Sequence, residues 1–288
     1  MLKETLRPVW AEIDLGCIKH NITEIKRRVG NTPIIGVVKA DGYGHGAVEV
    51  SRVLLDNGVA TLAVATLSEA IQLRDANIDV PIIMLGLTPW HLQKTLIEYD
   101  ITPVVASYAD TRALSALAVE AGRTVEVLVA VETGMGRIGF MPNKEGINEI
   151  VGINGLPNIR IKGIFSHFAV ADEKDKSFSY EQIDRFDLFY QNLKEAGISI
   201  KFRTHANSAA VMEIPEAWFD AVRPGIILYG CYPSDQVDKS LIQLKPAMSL
   251  KANIVFLKKV PAGTSISYGR HFVTKRDSII ATIPLGYA

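Results

Sequence analysis

Several residues with chemistry in them stand at one kind of place in this sequence, just after a short apolar run. Lys39 follows "PIIGVV", where the pattern calls for another hydrophobe, and a glycine-rich turn follows it: Gly42, Tyr43, Gly44, His45, Gly46. Arg137 lies in "TGMGRIG" after "VEVLVAVE", and His167 ends "IKGIFSHF". His205, Asn207 and Ser208 end "FRTHANS", while Arg223, Gly225 and Ile226 sit in "VRPGI". A lysine at the end of a buried strand can lose its proton and attack a carbonyl to form a Schiff base. "ANS" followed by "RPGI" supplies a hydroxyl and backbone N–H donors suited to a phosphate. One arginine can tune an electron-poor ring, and another can hold a carboxylate through two parallel hydrogen bonds.

Taken singly, each residue has an ordinary reading. A strand-end lysine is usually a solvated charge, His167 could be a hydrogen-bonded core histidine, and the arginines could close surface ion pairs. "GYGHG" could be only a tight turn. "GMGRIG" matches GxGxxG, but it follows a late strand and carries an arginine where backbone should approach a pyrophosphate, so a dinucleotide site is a poor reading. As a set, the residues suit an aldehyde cofactor with a phosphate handle, pyridoxal 5′-phosphate (PLP).

The elements that must position them are short apolar runs with amphipathic segments between most of them. The runs are "PIIGVVKA" (33–40), "TLAVAT" (61–66), "PIIMLG" (81–86), "TPVVAS" (102–107), "VEVLVAVE" (125–132), "IKGIFSHF" (161–168), "FRTHANS" (202–208) and "FDAVRPGIILYG" (219–230). Runs apolar on both sides suit parallel strands covered on both faces. Helical spacing marks 68–76, 108–122 with Gly122 as a C-cap, and 179–197 between an N-cap Ser179 and Gly197. Eight strands alternating with helices predict a (β/α)8 TIM barrel, an α/β fold whose usual length is about 250 residues; an open Rossmann-type sheet is the rival. In such a barrel the chemistry gathers at the C-terminal strand ends, where all of these polar groups fall.

After residue 240 the pattern changes. "SLKANIVFLKKVPAGTSISYG" (249–269) reads as two strands around a "PAG" turn and "SIIATIPLGY" (278–287) as another. The expected organisation is a barrel over 1–240 and the beginning of a C-terminal antiparallel β domain over 241–288. The chain stops while still strand-like, so we expect the sequence to be incomplete at its C-terminus.

Composition excludes several classes of function. Lys plus Arg equals Asp plus Glu at 31 each, so no net field favours nucleic acid or an anionic membrane. No apolar run approaches the roughly 20 residues of a membrane span, and "MLKETLRPVW" lacks the apolar stretch of a signal peptide. Cys17 and Cys231, far apart and in no CxxC pattern, read as reduced thiols. A cytoplasmic protein fits these features.

"VVKADGYGHG" closely resembles the PLP-lysine signature of bacterial alanine racemases. "ETGMGRIG", "SHFAVAD", "HANSAA", "VRPGIILYG" and "ISYGRHFV" match further blocks of that family in its order, over essentially the whole chain. The resemblance implies a PLP-dependent barrel with a C-terminal β domain, working as a homodimer with shared active sites and interconverting L- and D-alanine, the latter a peptidoglycan precursor. By the same resemblance Lys39 would hold PLP and act as one base, and Tyr268 of the partner would be the opposite base. Arg137 would bind the substrate carboxylate, and Arg223, with His167 behind it, the pyridine nitrogen. Tyr43, Asn207, Ser208, Gly225 and Ile226 would surround the phosphate. Tyr287 would line the substrate entrance, and no metal is implied.

The sequence departs from the family's pattern at two positions. Where the family usually has a lysine, often carbamylated, seven residues before the carboxylate-binding arginine, this chain has Ala130; Glu132 replaces an aspartate. Chloride, water or Glu132 could then partner Arg137, and we expect a small anion. Three other functions compete with alanine racemisation. A serine or broad-spectrum racemase shares the chemistry. A non-catalytic PLP-binding barrel would lack the β domain and Tyr268. A metal-dependent barrel hydrolase using His45, His167 and His205 would be expected to show an HxH pair on an early strand, and none is present.

Overall fold

The structure, a computed structural model, describes residues 8–286. Strand β1 (Val9–Ile13) pairs with a C-terminal strand. The next seven form one parallel sheet in sequence order: β2 (Ile35–Val37), β3 (Thr61–Val64), β4 (Ile82–Met84), β5 (Thr102–Val105), β6 (Val125–Ala130), β7 (Ile159–Phe165) and β8 (Arg203–Thr204). Helices connect them: α1 (Leu15–Val29), α2 (Ala47–Asp56), α3 (Leu67–Asp75), α4 (Gln93–Glu98), α5 (Tyr108–Glu120), α6 (Lys144–Asn154), α7 (Ser177–Glu195) and α8 (Ser208–Glu213).

The eighth position of the barrel is filled by residues 221–224. Ile34 and Val222 form a parallel bridge, Ile35 N–H donates to Val222 at 2.9 Å, and Val37 N–H donates to Pro224 at 3.2 Å. On the other side Arg223 N–H donates to Ala206 at 2.9 Å, and the Thr204 hydroxyl donates to Ala221 at 2.7 Å. Pro224 has no N–H to extend the ladder, which limits this segment to a bridge. The closed parallel barrel predicted from the eight runs is therefore the architecture found.

Alternation along the strands divides the core in two. Ile35, Val37, Ala63, Ile83, Val104, Leu128, Ala130, Phe165 and Ala221 fill the barrel interior. The intervening residues, such as Leu62, Val64, Val127 and Val129, pack outward among the helices. Each Val, Ile or Leu so buried is worth about 1.5–3 kcal/mol relative to exposure, which is why both faces must be apolar. On α7 the buried stripe is Ser179, Gln182, Ile183, Phe186, Phe189 and Leu193, so two polar residues occupy core-facing positions.

Helix ends follow side-chain chemistry that periodicity only partly located. Thr66 and Glu69 form a reciprocal capping box at α3, and Ser107 caps α5 by accepting from Asp110 N–H. Ser179, expected to cap the long helix, lies inside α7 and is fully buried; that helix starts at Ser177, after Lys176. Gly122 and Gly197 follow their helices with φ of 62° and 85°, as left-handed C-terminal positions require.

Residues 15–247 form one compact unit, and residues 8–14 with 248–286 form another. In the second unit β1 pairs antiparallel with β9 (Met248–Ala252), which the sequence reading did not anticipate. β10 (Phe256–Val260) pairs with β13 (Ser278–Thr282), and β11 (Ser265–Ile266) with β12 (Phe272–Val273). The two strands expected around "PAG" are present, and each pairs with a later strand and not with the other. Among the described residues no helix is long and apolar enough to cross a membrane.

Candidate active site

The segment after β2 is one turn of left-handed helix. Ala40, Asp41, Gly42 and Tyr43 have φ of 52°, 51°, 60° and 53°. For residues with a Cβ this conformation costs about 1–2 kcal/mol each, so the surroundings must impose it. Glu69 accepts from Ala40 N–H at 2.7 Å while its other oxygen accepts from Ala65 N–H at 2.7 Å. Asp41 accepts from Ala47 N–H through its side chain at 2.8 Å and from Gly46 N–H through its carbonyl at 2.9 Å. His45 Nδ1–H donates to the carbonyls of Gly42 and Tyr43, at 3.1 and 3.0 Å, which sets its tautomer. Tyr229, buried beneath the turn, packs 4.9 Å from the Tyr43 ring and 4.7 Å from that of His45. The result fixes Lys39 at the strand end, with its Nζ 5.8 Å from the centre of the Tyr43 ring.

Across the barrel mouth Arg223 is buried. Nη1 donates to Thr204 Oγ1 at 2.8 Å, and Nη2 donates to the carbonyls of Ser166 at 2.6 Å and His205 at 3.2 Å. Nη2 also faces His167 Nδ1 at 3.4 Å, so that nitrogen is the acceptor. Burial, reinforced by Arg137, pushes the Arg223 guanidinium down to about 9, which leaves it charged at neutral pH. Burial first, then the positive charges of Arg223, Arg137 and Lys39, push His167 down to about 3. Its imidazole is neutral, as its accepting role requires.

Arg137 is carried by the loop after β6. Glu132 accepts from the N–H groups of Gly134 at 2.6 Å and Arg137 at 3.0 Å. Burial raises the Glu132 carboxyl, but the N–H groups of Gly136, Gly134, Arg137 and Met135 outweigh it and hold the group below the usual carboxylate range. Glu132 therefore braces the loop's backbone and does not pair with the Arg137 guanidinium. The space lined by Ala130, Arg137, Phe165 and His167 is about 10 Å³, room for a single water, because Ile138 and Phe165 close in on Ala130. Arg137 itself is exposed and also lines the main cavity described below.

The third group lies around Ser208 and Gly225. Asn207 caps α8 by accepting from Ala210 N–H at 3.1 Å, so its side chain shapes the backbone. Ser208 Oγ accepts from Gly225 N–H at 2.9 Å and keeps its own proton to donate. A Cβ on Gly225 would lie 2.6 Å from the Tyr43 hydroxyl, so glycine is what admits that hydroxyl. Lys39, Tyr43, Arg137, His167, Asn207, Ser208, Arg223, Gly225 and Ile226 all line one cavity of about 420 Å³ at the C-terminal end of the barrel strands. This is the size of a small-cofactor site. Its donors suit PLP: a cradle that a Cβ would fill at one end, a guanidinium midway and an amine at the rim.

Other candidates lie elsewhere. Tyr268 is in the second unit, 84% exposed, on the short turn Tyr268–Arg270. Tyr287 lies outside the described residues. His45 packs on Tyr229, and His205 stacks on Phe168 at 3.9 Å. Among the described residues no three such groups are placed to share a metal. Sequence reasoning missed Asp172 on the cavity wall, and Glu69 and Tyr229 beneath the Lys39 turn. Asp172 and Tyr229 lie inside the blocks "SHFAVAD" and "VRPGIILYG", and Glu69 has the Thr-x-x-Glu spacing of a capping box.

The comparisons with known proteins agree with this geometry. The profile described as alanine racemase, N-terminal domain, matches residues 13–233, and that for the C-terminal domain matches 247–288. Curated alanine racemases of Clostridium kluyveri and Clostridium novyi are 51% and 50% identical over 98% of this chain and 72% and 73% of their own lengths. The solved alanine racemase of Clostridium difficile 630 superposes with a TM-score of 0.93 at 42% identity, covering 98% of this chain and 74% of that one.

Proposed function

The chain belongs to the alanine racemase family, and on that premise we propose that it interconverts L- and D-alanine with PLP as cofactor, supplying D-alanine for peptidoglycan. The observation that carries this reading is the gathering of Lys39, Arg137, His167, Ser208 and Arg223 around one cavity. Bound PLP supplies the electron sink that acidifies the substrate Cα. Lys39 would hold it covalently, Tyr43, Ser208 and Ile226 would bind its phosphate, and Arg223 would face its ring nitrogen. A guanidinium at that nitrogen would not give up a proton to it, which would disfavour a protonated ring and the side reactions that go with it. Neutral His167 is part of the same arrangement, because a second cation there would repel Arg223.

Arg137 holds the substrate carboxylate and fixes which face of Cα each base meets. The Lys39 amine, released when the substrate's own amine takes its place on the cofactor, would take or return the proton on one face. Tyr268, from a second copy of the chain, serves the other, so inversion needs no rotation of the substrate.

Borohydride reduction of the PLP-loaded protein, followed by peptide mapping, tests the assignment. The pyridoxyl label should appear on Lys39, and Lys39→Ala should lose the visible absorbance band. A label on another lysine would overturn it.

A further inference from the structure

Gln182 does not line the cavity, yet its amide joins the two sides of the site. It is fully buried on α7, among Ile183, Phe186 and Phe189 on the same face. Nε2 donates to Thr133 Oγ1 at 3.1 Å and to the His167 carbonyl at 3.1 Å, and Oε1 accepts from Ala169 N–H at 3.0 Å. The His167 carbonyl can only accept and the Ala169 N–H can only donate, so the amide has one possible orientation.

The hydroxyl protons of the chain are equally determined. Ser166 Oγ has one proton and donates it to the Val131 carbonyl at 2.8 Å. In the 2.7 Å contact between Thr133 Oγ1 and Ser166 Oγ, threonine is therefore the donor. Thr133 in turn accepts from Gln182, and a single directed chain runs from Gln182 through Thr133 and Ser166 to Val131. Thr133 and Ser166 are both buried, at 1% and 3% exposure, so water cannot replace a lost member. Thr133 begins the loop that carries Arg137. Ser166 precedes His167, and its carbonyl receives Arg223 Nη2.

We propose that Gln182 is a positioning residue that holds the Arg137 loop in register with His167 and Arg223, and so sets the site's affinity for the substrate carboxylate. This rests on the reading that Arg137 binds that carboxylate. Such a chain on a core-facing helix position is costly unless every member is satisfied, and here every member is.

Propionate, alanine without its amine, is the probe, titrated into the PLP-loaded protein by calorimetry alongside KM and kcat for both enantiomers. Gln182→Leu should weaken propionate about tenfold and raise both KM values in parallel, with kcat and PLP affinity within about threefold. Thr133→Val should do the same, Thr133→Ser should restore wild-type values, and the Gln182→Leu/Thr133→Val double variant should be no worse than either single one. If Arg137→Gln weakens propionate but the Gln182 and Thr133 variants do not, the positioning role is wrong while the site reading stands. Unchanged propionate affinity in Arg137→Gln would instead remove the reading beneath it. Equal losses of PLP and propionate affinity in both Gln182→Leu and Thr133→Val would show general collapse and also overturn the proposal.

Discussion

The hydroxyl of Tyr229 donates to the carbonyl of Val37 at 2.9 Å, across 192 residues of sequence. Its ring supports the left-handed turn that follows Lys39, so one buried side chain ties the strand end to the turn. Burial raises the phenol well above its ordinary pKa, keeping it a donor at any working pH. Tyr229→Phe should leave the ring in place and remove the bond, lowering stability by about 1–3 kcal/mol. Urea unfolding measures it, and a midpoint within error of wild type would show that the bond is dispensable.

Gly225 and Tyr43 form a second such pair. Gly225→Ala places a methyl 2.6 Å from the Tyr43 hydroxyl, so it should weaken PLP binding about tenfold or more. Because the contact is with the hydroxyl, the same substitution in a Tyr43→Phe background should cost much less. PLP titration by fluorescence checks this, and equal losses in the two backgrounds would mean the clash is not the cause.

His205 is fully buried, and neither ring nitrogen has a hydrogen-bond partner among the described residues. Burial, then Arg223 and His167, hold it well below its ordinary pKa, as burial holds His167 near 3. The unfolded chain therefore takes up protons below about pH 6.5 that the folded protein refuses, so stability is complete above that pH and falls as pH drops toward 3. Each histidine contributes a slope of about 1.4 kcal/mol per pH unit. His205→Leu should stabilise the protein by about 1–2 kcal/mol at pH 7.5 and by more at pH 5.5. Parallel stability curves for variant and wild type would show that His205 does not titrate on unfolding.

Tyr268→Phe should slow proton abstraction from one enantiomer of alanine by about 10²–10⁴, with little effect on PLP affinity. Solvent deuterium incorporation from each enantiomer separates the two faces. Near-wild-type exchange from both would remove Tyr268 as the second base.

What the sequence by itself determined was local. Apolar runs on both faces required buried parallel strands, and residues that end such runs must reach the same rim, so Lys39, Arg137, His167, Ser208 and Arg223 could be grouped before any geometry was known. The resemblance then named their roles. Tertiary structure alone decided which long-range partners made those positions tenable. The left-handed turn at Ala40 and Asp41 opposes their intrinsic preference and holds because Glu69, His45 and Tyr229 converge on it. Glu132, two residues beyond Ala130, has the spacing to pair with Arg137 if the strand runs on that far. Its carboxylate instead accepts from the loop's own N–H groups, those of Gly134 and Arg137. Gln182 carries no signal of its own in the sequence, because periodicity reports which face of a helix is buried but not what waits across it. A hydrogen bond is decided by directions and distances of a few tenths of an ångström between residues far apart in the chain, and only the packed barrel sets those.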